Sequence, residues 1–82
     1  MNVRVLAFAR IRELLGSGEL TFELPDGATI GDVWQAAVDR NAAIASLASS
    51  TRIARNGRVV GDTLESVREG DELALLPPAG GG

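Results

Sequence analysis

The chain has no cysteine, no histidine and no tyrosine among its 82 residues. Without cysteine there is no disulfide, no thiolate metal site and no thiol nucleophile. Without histidine, a Ser-His-Asp triad, an imidazole base and a His-ligated metal are all excluded within this chain. Lysine is missing too: all eight basic residues are arginine. That removes Schiff-base chemistry and any side-chain amine nucleophile. Carboxylates, hydroxyls, guanidinium groups and the terminal carboxylate remain, which argues against a self-contained enzyme. No apolar run approaches the ~18 residues of a membrane span. The N-terminus enters Val3-Arg4-Val5-Leu6-Ala7-Phe8 with no basic n-region and no small-residue cleavage site. A cytoplasmic protein with no membrane partner is expected.

What is present describes one small globular domain. Hydrophobic residues make up 45% and charged residues 23%, a folded rather than a disordered balance. The net charge of −3 argues against a nucleic-acid binder, which usually shows a basic face. It is also an ordinary surface charge for solubility.

Hydrophobic periodicity divides the chain. Val3, Val5 and Ala7 alternate with Arg4, Leu6 and Phe8, as in a strand. Ile11, Leu14 and Leu15 then fall at i, i+3 and i+4, a short helix over 10–15 closed by Gly16. Leu20, Phe22 and Leu24 alternate with Glu19, Thr21 and Glu23 in a second strand, which ends at the turn Pro25-Asp26-Gly27. Thr29 with Asp32 reads as a helix start with a weakened capping box. Behind it Ile30, Val33, Trp34, Ala37 and Val38 form the widest apolar stripe, with Trp34 read as a core anchor. Asn41 ends or bends this helix, and 42–48 forms a second short helical piece. Ser46, Ser49, Ser50 and Thr51 read as a solvated exit, since no glycine-rich phosphate loop accompanies them. Asn56-Gly57 between 52–55 and 58–60 is a strong hairpin signal. One helical turn is expected over 63–67, then a turn at Glu69-Gly70-Asp71 and a last strand over 72–76. One main helix must cover one face of a small sheet. The predicted fold is α+β and β-grasp-like (ubiquitin-like), a mixed sheet of about five strands on one main helix. Residues 1–76 form the domain and 77–82 an extended tail.

With a single main helix, the second face of the sheet lacks cover from this chain. Leu6, Phe8, Leu76 and Val59 would form an exposed apolar patch that marks a partner surface. The alternative is that the helix over 10–15 folds across them. After Leu76, Pro77 and Pro78 end the strand and stiffen the exit. Gly80, Gly81 and Gly82 follow, with the smallest cross-section available. Six residues from Pro77 to Gly82 reach at most ~20 Å, which suits entry into a narrow tunnel of another protein. The terminal carboxylate is a poor electrophile. On an activating enzyme its oxygen can attack the α-phosphate of ATP, and the acyl-adenylate so formed accepts sulfur or an amine. A glycine-rich end also reads simply as a loose terminus.

The segments Val5-Leu6-Ala7-Phe8-Ala9 and Ile11-Arg12-Glu13-Leu14-Leu15-Gly16, with Asn56 in the hairpin, lead to the stretch Gly70-Asp71-Glu72-Leu73-Ala74-Leu75-Leu76-Pro77-Pro78 and the ending Gly81-Gly82. Taken together, the chain resembles the ubiquitin-like sulfur-carrier family, in its molybdopterin synthase small-subunit (MoaD-type) branch. The resemblance spans the whole chain, and the ending GDExxxxPPxxGG is its specific part. It implies a β-grasp fold and a terminal glycine, Gly82, that is adenylated and converted to a thiocarboxylate, with Gly81 as its tail partner. It implies three partners: the large subunit of molybdopterin synthase in a heterotetramer, an ATP-dependent E1-like activating enzyme, and a sulfur donor enzyme. Sulfur would pass to cyclic pyranopterin monophosphate. No cofactor is bound; ATP is used by the activating enzyme. Phe8, Val59 and Leu76 fall at the family's apolar partner contacts, and Pro77, Pro78 and Gly80 join them along the tail. Ala79-Gly80 departs from the larger residue and small hydroxyl residue common there. A carrier for thiamine, tRNA thiolation or cysteine synthesis, a ubiquitin-like modifier, and a plain binding module are the alternatives.

Overall fold

The computed structural model describes residues 1–78. Five strands and two α-helices follow in the order β1 (Asn2–Ala7), α1 (Ala9–Leu15), β2 (Glu19–Glu23), α2 (Ile30–Arg40), a 3-10 helix (Ala42–Ser50), β3 (Arg52–Arg55), β4 (Arg58–Val59) and β5 (Glu72–Leu76). The sheet order is β2-β1-β5-β3-β4. β1 runs antiparallel to β2 and parallel to the central β5, while β3 is antiparallel to β4 and β5. This is the expected mixed β-grasp sheet.

Each boundary has a local cause. Gly16 at φ 80 closes α1 in the left-handed region that glycine adopts without strain. Asn56 at φ 50 and Gly57 at φ 85 supply the two positive φ angles of a tight hairpin turn. The box at α2 is complete: the Thr29 hydroxyl accepts from Asp32 N–H, and the Asp32 carboxylate accepts from Thr29 N–H. Asn41 ends α2; its side-chain oxygen accepts from Ala43 N–H and its amide donates to the Leu14 carbonyl.

The core lies on one face of the sheet. Val3 and Val5 from β1, Phe22 from β2, Ile53 from β3 and Leu73 and Leu75 from β5 meet Ile30, Val33 and Ala37 of α2. Ile11 and Leu15 of α1 and Ile44 of the 3-10 helix join the same cluster. The short helix therefore packs on the covered face and does not fold over the opposite one. Trp34 rests only partly on this core, with its remaining surface on an open groove. The hydroxyls of Ser46, Ser50 and Thr51 donate to carbonyls of the 3-10 helix.

One expected element is shifted and shorter. Glu65 N–H donates to the Asp62 carbonyl and closes a single turn at 62–65, after which Ser66 bridges to Thr29 and no helix spans 63–67. The first amides of a helix have no partner within it. At α2, Ile30 N–H donates to the Glu65 carbonyl and Gly31 N–H to the Thr63 carbonyl, while Val67 N–H donates to Ala28. Serving these groups keeps the segment from continuing as a helix beyond the turn, and Leu64 stays 78% exposed.

Candidate functional site

The face of the sheet opposite the helices carries the candidate site. Register places its residues without ambiguity, since directly paired residues share a face. Leu6 of β1 pairs with Ala74 of β5, Ala74 with Ala54 of β3, and Ala54 with Val59 of β4. An apolar row thus crosses four of the five strands, with the larger Leu6 and Val59 at its ends and two alanines between. Ala54 is only 7% exposed yet stands outside the core cluster, as expected for a small residue at the bottom of a shallow saddle on the open face. Leu76, opposite Arg52, begins the next row toward the end of β5. On the other side Arg4 bridges Glu19 and Glu72, both at 3.1 Å. These exposed pairs contribute little stability but give the apolar row a polar border.

Of the four residues read from the sequence as one patch, three share this face and one stands apart. Leu6 and Val59 lie at the two ends of the row, and Leu76 borders it. Phe8 sits one residue past β1, at the N-cap of α1. It is 42% exposed and Val59 53%. Phe8 lines a cavity of about 90 Å³ with Ile11, Leu47, Pro77 and Pro78. Val59 borders a separate groove of about 510 Å³ with Trp34, Thr51 and Arg52. Ala54 and Ala74, the middle of the row, were not among the expected contacts. Their signal is cross-strand register, which single-strand periodicity does not contain. Gly80, Gly81 and Gly82 lie outside the described residues.

The start of β5 is held by a buried carboxylate. Asp71 is 8% exposed. It accepts from Arg68 N–H at 2.8 Å, from Arg55 Nε at 3.0 Å and from the Asn56 amide at 3.1 Å. Burial pushes its carboxyl up, but these hydrogen bonds and the Arg55 charge outweigh burial and hold it below its ordinary value. Asn56 also exchanges two bonds with Glu72, accepting its N–H through Oδ1 and donating its own N–H to the Glu72 carbonyl. The network locks the hairpin to β5 and so fixes the register of the open face. Among the described residues no cluster of carboxylates could hold a metal, and no helix is long and apolar enough to cross a membrane.

A mixed sheet with its helices on one face and an open apolar row on the other defines a β-grasp, ubiquitin-like domain. Residues 5–82 match the ThiS family model. The chain belongs to the ThiS family, the ubiquitin-like sulfur-carrier family that its sequence resembles. It is 37% identical over 83 residues to the molybdopterin synthase sulfur carrier subunit of Chlamydomonas reinhardtii, covering all of both chains. Its fold is similar to SAMP1 from Haloferax volcanii (TM-score 0.86, 30% identity, all of both chains). It is also similar to a putative molybdopterin converting factor, subunit 1, from Pyrococcus furiosus (TM-score 0.80, 30% identity, 95% of this chain and 98% of that one).

Proposed function

We propose that this chain carries sulfur for molybdopterin synthesis, with Gly82 as the residue that bears it. The observation that supports the reading most is the double duty of β5. Ala74 and Leu76 belong to the open face, and the same strand runs straight into Pro77 and Pro78. A partner that covers the apolar row is therefore placed to receive whatever follows Pro78. On this reading 1–76 is the docking domain and 77–82 the tail. Phe8, Val59, Leu76, Pro77, Pro78 and Gly80 contact the partner, the large subunit of molybdopterin synthase.

The chemistry belongs to the terminus and to other proteins. An E1-like activating enzyme presents ATP, the Gly82 carboxylate attacks the α-phosphorus, and pyrophosphate leaves. A sulfur donor enzyme then supplies the nucleophile at the acyl carbon, and AMP leaves a thiocarboxylate. In the synthase complex, sulfur passes to cyclic pyranopterin monophosphate and Gly82 returns to a carboxylate. This chain needs no bound cofactor of its own, and the whole sequence is expected to run in the cytoplasm. The test is intact-mass analysis after incubation with an activating enzyme, ATP and a sulfur donor. Sulfur replacing one oxygen on Gly82 is the expected result. A terminus that gains no sulfur with any such enzyme overturns the reading.

The likeness to SAMP1, a small archaeal modifier protein, favours a second reading in which Gly82 is joined to lysines of other proteins. Both readings share the adenylate and part at the acceptor. The chain's lack of lysine excludes polymers built on its own side chains but leaves single attachment open. A carrier is recovered free; a modifier is recovered as conjugates to many proteins, which an immunoblot of denatured lysate separates.

A further inference from the structure

Two neighbouring residues break local preference at the same corner. Phe8 occupies the N-cap of α1 with no side-chain bond to the helix, where a short polar residue is favoured. Ala9 follows at φ 51, in the left-handed region that a residue with a Cβ adopts under strain. Such departures persist only where the surroundings over-determine them. Here the surroundings are the exit of β5: Phe8, Ala9 and Ile11 line one small apolar cavity with Leu47, Pro77 and Pro78. Leu47 is held in turn by Thr51, whose hydroxyl donates to the Leu47 carbonyl at 2.7 Å.

We propose that the Phe8–Ala9 corner is a seat for Pro77 and Pro78 that fixes the direction in which the chain leaves the domain, which makes Ala9 and Leu47 positioning residues for transfer. The inference rests on the carrier reading. The two prolines line this open cavity together with Phe8, Ile11 and Leu47, so removing them would bare more of all three side chains at once. Each proline has a fixed φ, so an anchored pair transmits its direction to the residue that follows. A tail already aimed at its partner loses less freedom on docking than a free one. The left-handed turn at Ala9 is what turns α1 away and leaves the Phe8 ring at the exit.

The test is a series at position 9 graded by tolerance of positive φ. Ala9→Gly and Ala9→Asn accept the turn, so both should keep the nuclear Overhauser contacts between the Phe8 ring and the proline rings, with an unfolding temperature equal to or above that of the unsubstituted chain. Ala9→Val disfavours the turn and should reduce those contacts by at least half. With the chain supplied as thiocarboxylate to the large subunit and pterin precursor, Ala9→Val should raise KM for the chain about five-fold at unchanged kcat, the signature of lost docking. Ala9→Asn should restore it. Should Ala9→Val fail to fold, Pro77→Ala with Pro78→Ala, at exposed positions, should raise KM alike while leaving the unfolding temperature in place. Absence of the Phe8–proline contacts in the unsubstituted chain overturns the seat even if sulfur is transferred. Lost contacts with unchanged KM overturn its positioning role and leave the carrier reading intact. Contacts present without any sulfur transfer overturn the carrier reading, and the positioning role with it.

Discussion

Asp71 shows how one side chain sets the geometry of a surface it does not belong to. It is buried, takes three hydrogen bonds, and ties Arg55 and Asn56 of the hairpin to the start of β5. Every paired residue of the open face downstream, Ala74 with Ala54 and Leu76 with Arg52, inherits the register so fixed. Because its carboxyl is held below the ordinary 3.8, the charged form is favoured in the folded state. Its stabilisation is therefore complete above that value and is lost as pH falls through the lower folded value. Asp71→Asn should cost about 2 kcal/mol at pH 7, as hydrogen bonds to a charged group do. It should also flatten the loss of stability below pH ~4. Urea unfolding of both chains between pH 2.5 and 7 checks this; parallel curves for the two would show that Asp71 is not the group responsible. The sequence marks Asp71 as a turn residue and as part of the GDE motif, but not the network it holds. Only the Arg68 N–H is local, and the two side-chain partners of Asp71 lie 16 and 15 residues back in the chain.

The elements that were legible are those whose cause is local. The capping box at Thr29 and Asp32, the left-handed Gly16 and the Asn56-Gly57 turn each depend on residues within one turn of chain, and each stands where the sequence places it. The alternation of β1, β2 and β5 likewise fixes which side chains face the helices. The turn expected over 63–67 stands instead at 62–65 and goes no further, because the donors that the Thr63 and Glu65 carbonyls serve lie more than 30 residues earlier, at Gly31 and Ile30. The open face was half legible. Periodicity separates Leu6 from Val5, but only register places Ala74 beside it and Ala54 beyond. The tail itself, Gly80, Gly81 and Gly82, lies outside the described residues, and its reading rests on composition and the family resemblance. Thr29→Ala removes one half of the capping box and should cost about 1 kcal/mol. The midpoint of urea unfolding should fall at unchanged slope. A change in slope would mean that the box also holds 63–67 in place and that its loss loosens more than the helix end.

For the whole molecule, the arrangement of faces separates stability from docking. The core draws on both α-helices, the 3-10 helix and one side of the sheet, so the opposite side is free to vary without unfolding the domain. Val59 tests this division best. It is 53% exposed on a two-residue edge strand, ends the apolar row and makes no contribution to the core cluster. Val59→Asp should therefore change folding stability by no more than about 0.5 kcal/mol, as at other exposed positions. If the row is where the large subunit sits, the same carboxylate must be taken out of water opposite Ala54, which offers it no partner, with Arg52 across the groove as its nearest cation on that face. Burying an unpaired charge costs several kcal/mol in an apolar contact, so binding should weaken at least ~10-fold, which corresponds to 1.4 kcal/mol. Titration calorimetry with the large subunit and urea unfolding of the free chain give the two numbers. Unchanged affinity would place Val59 outside the interface and leave the Leu6 end of the row and the exit of β5 to carry docking. Equal losses of affinity and stability would mean that the edge strand supports the fold, and that the two faces are not independent after all.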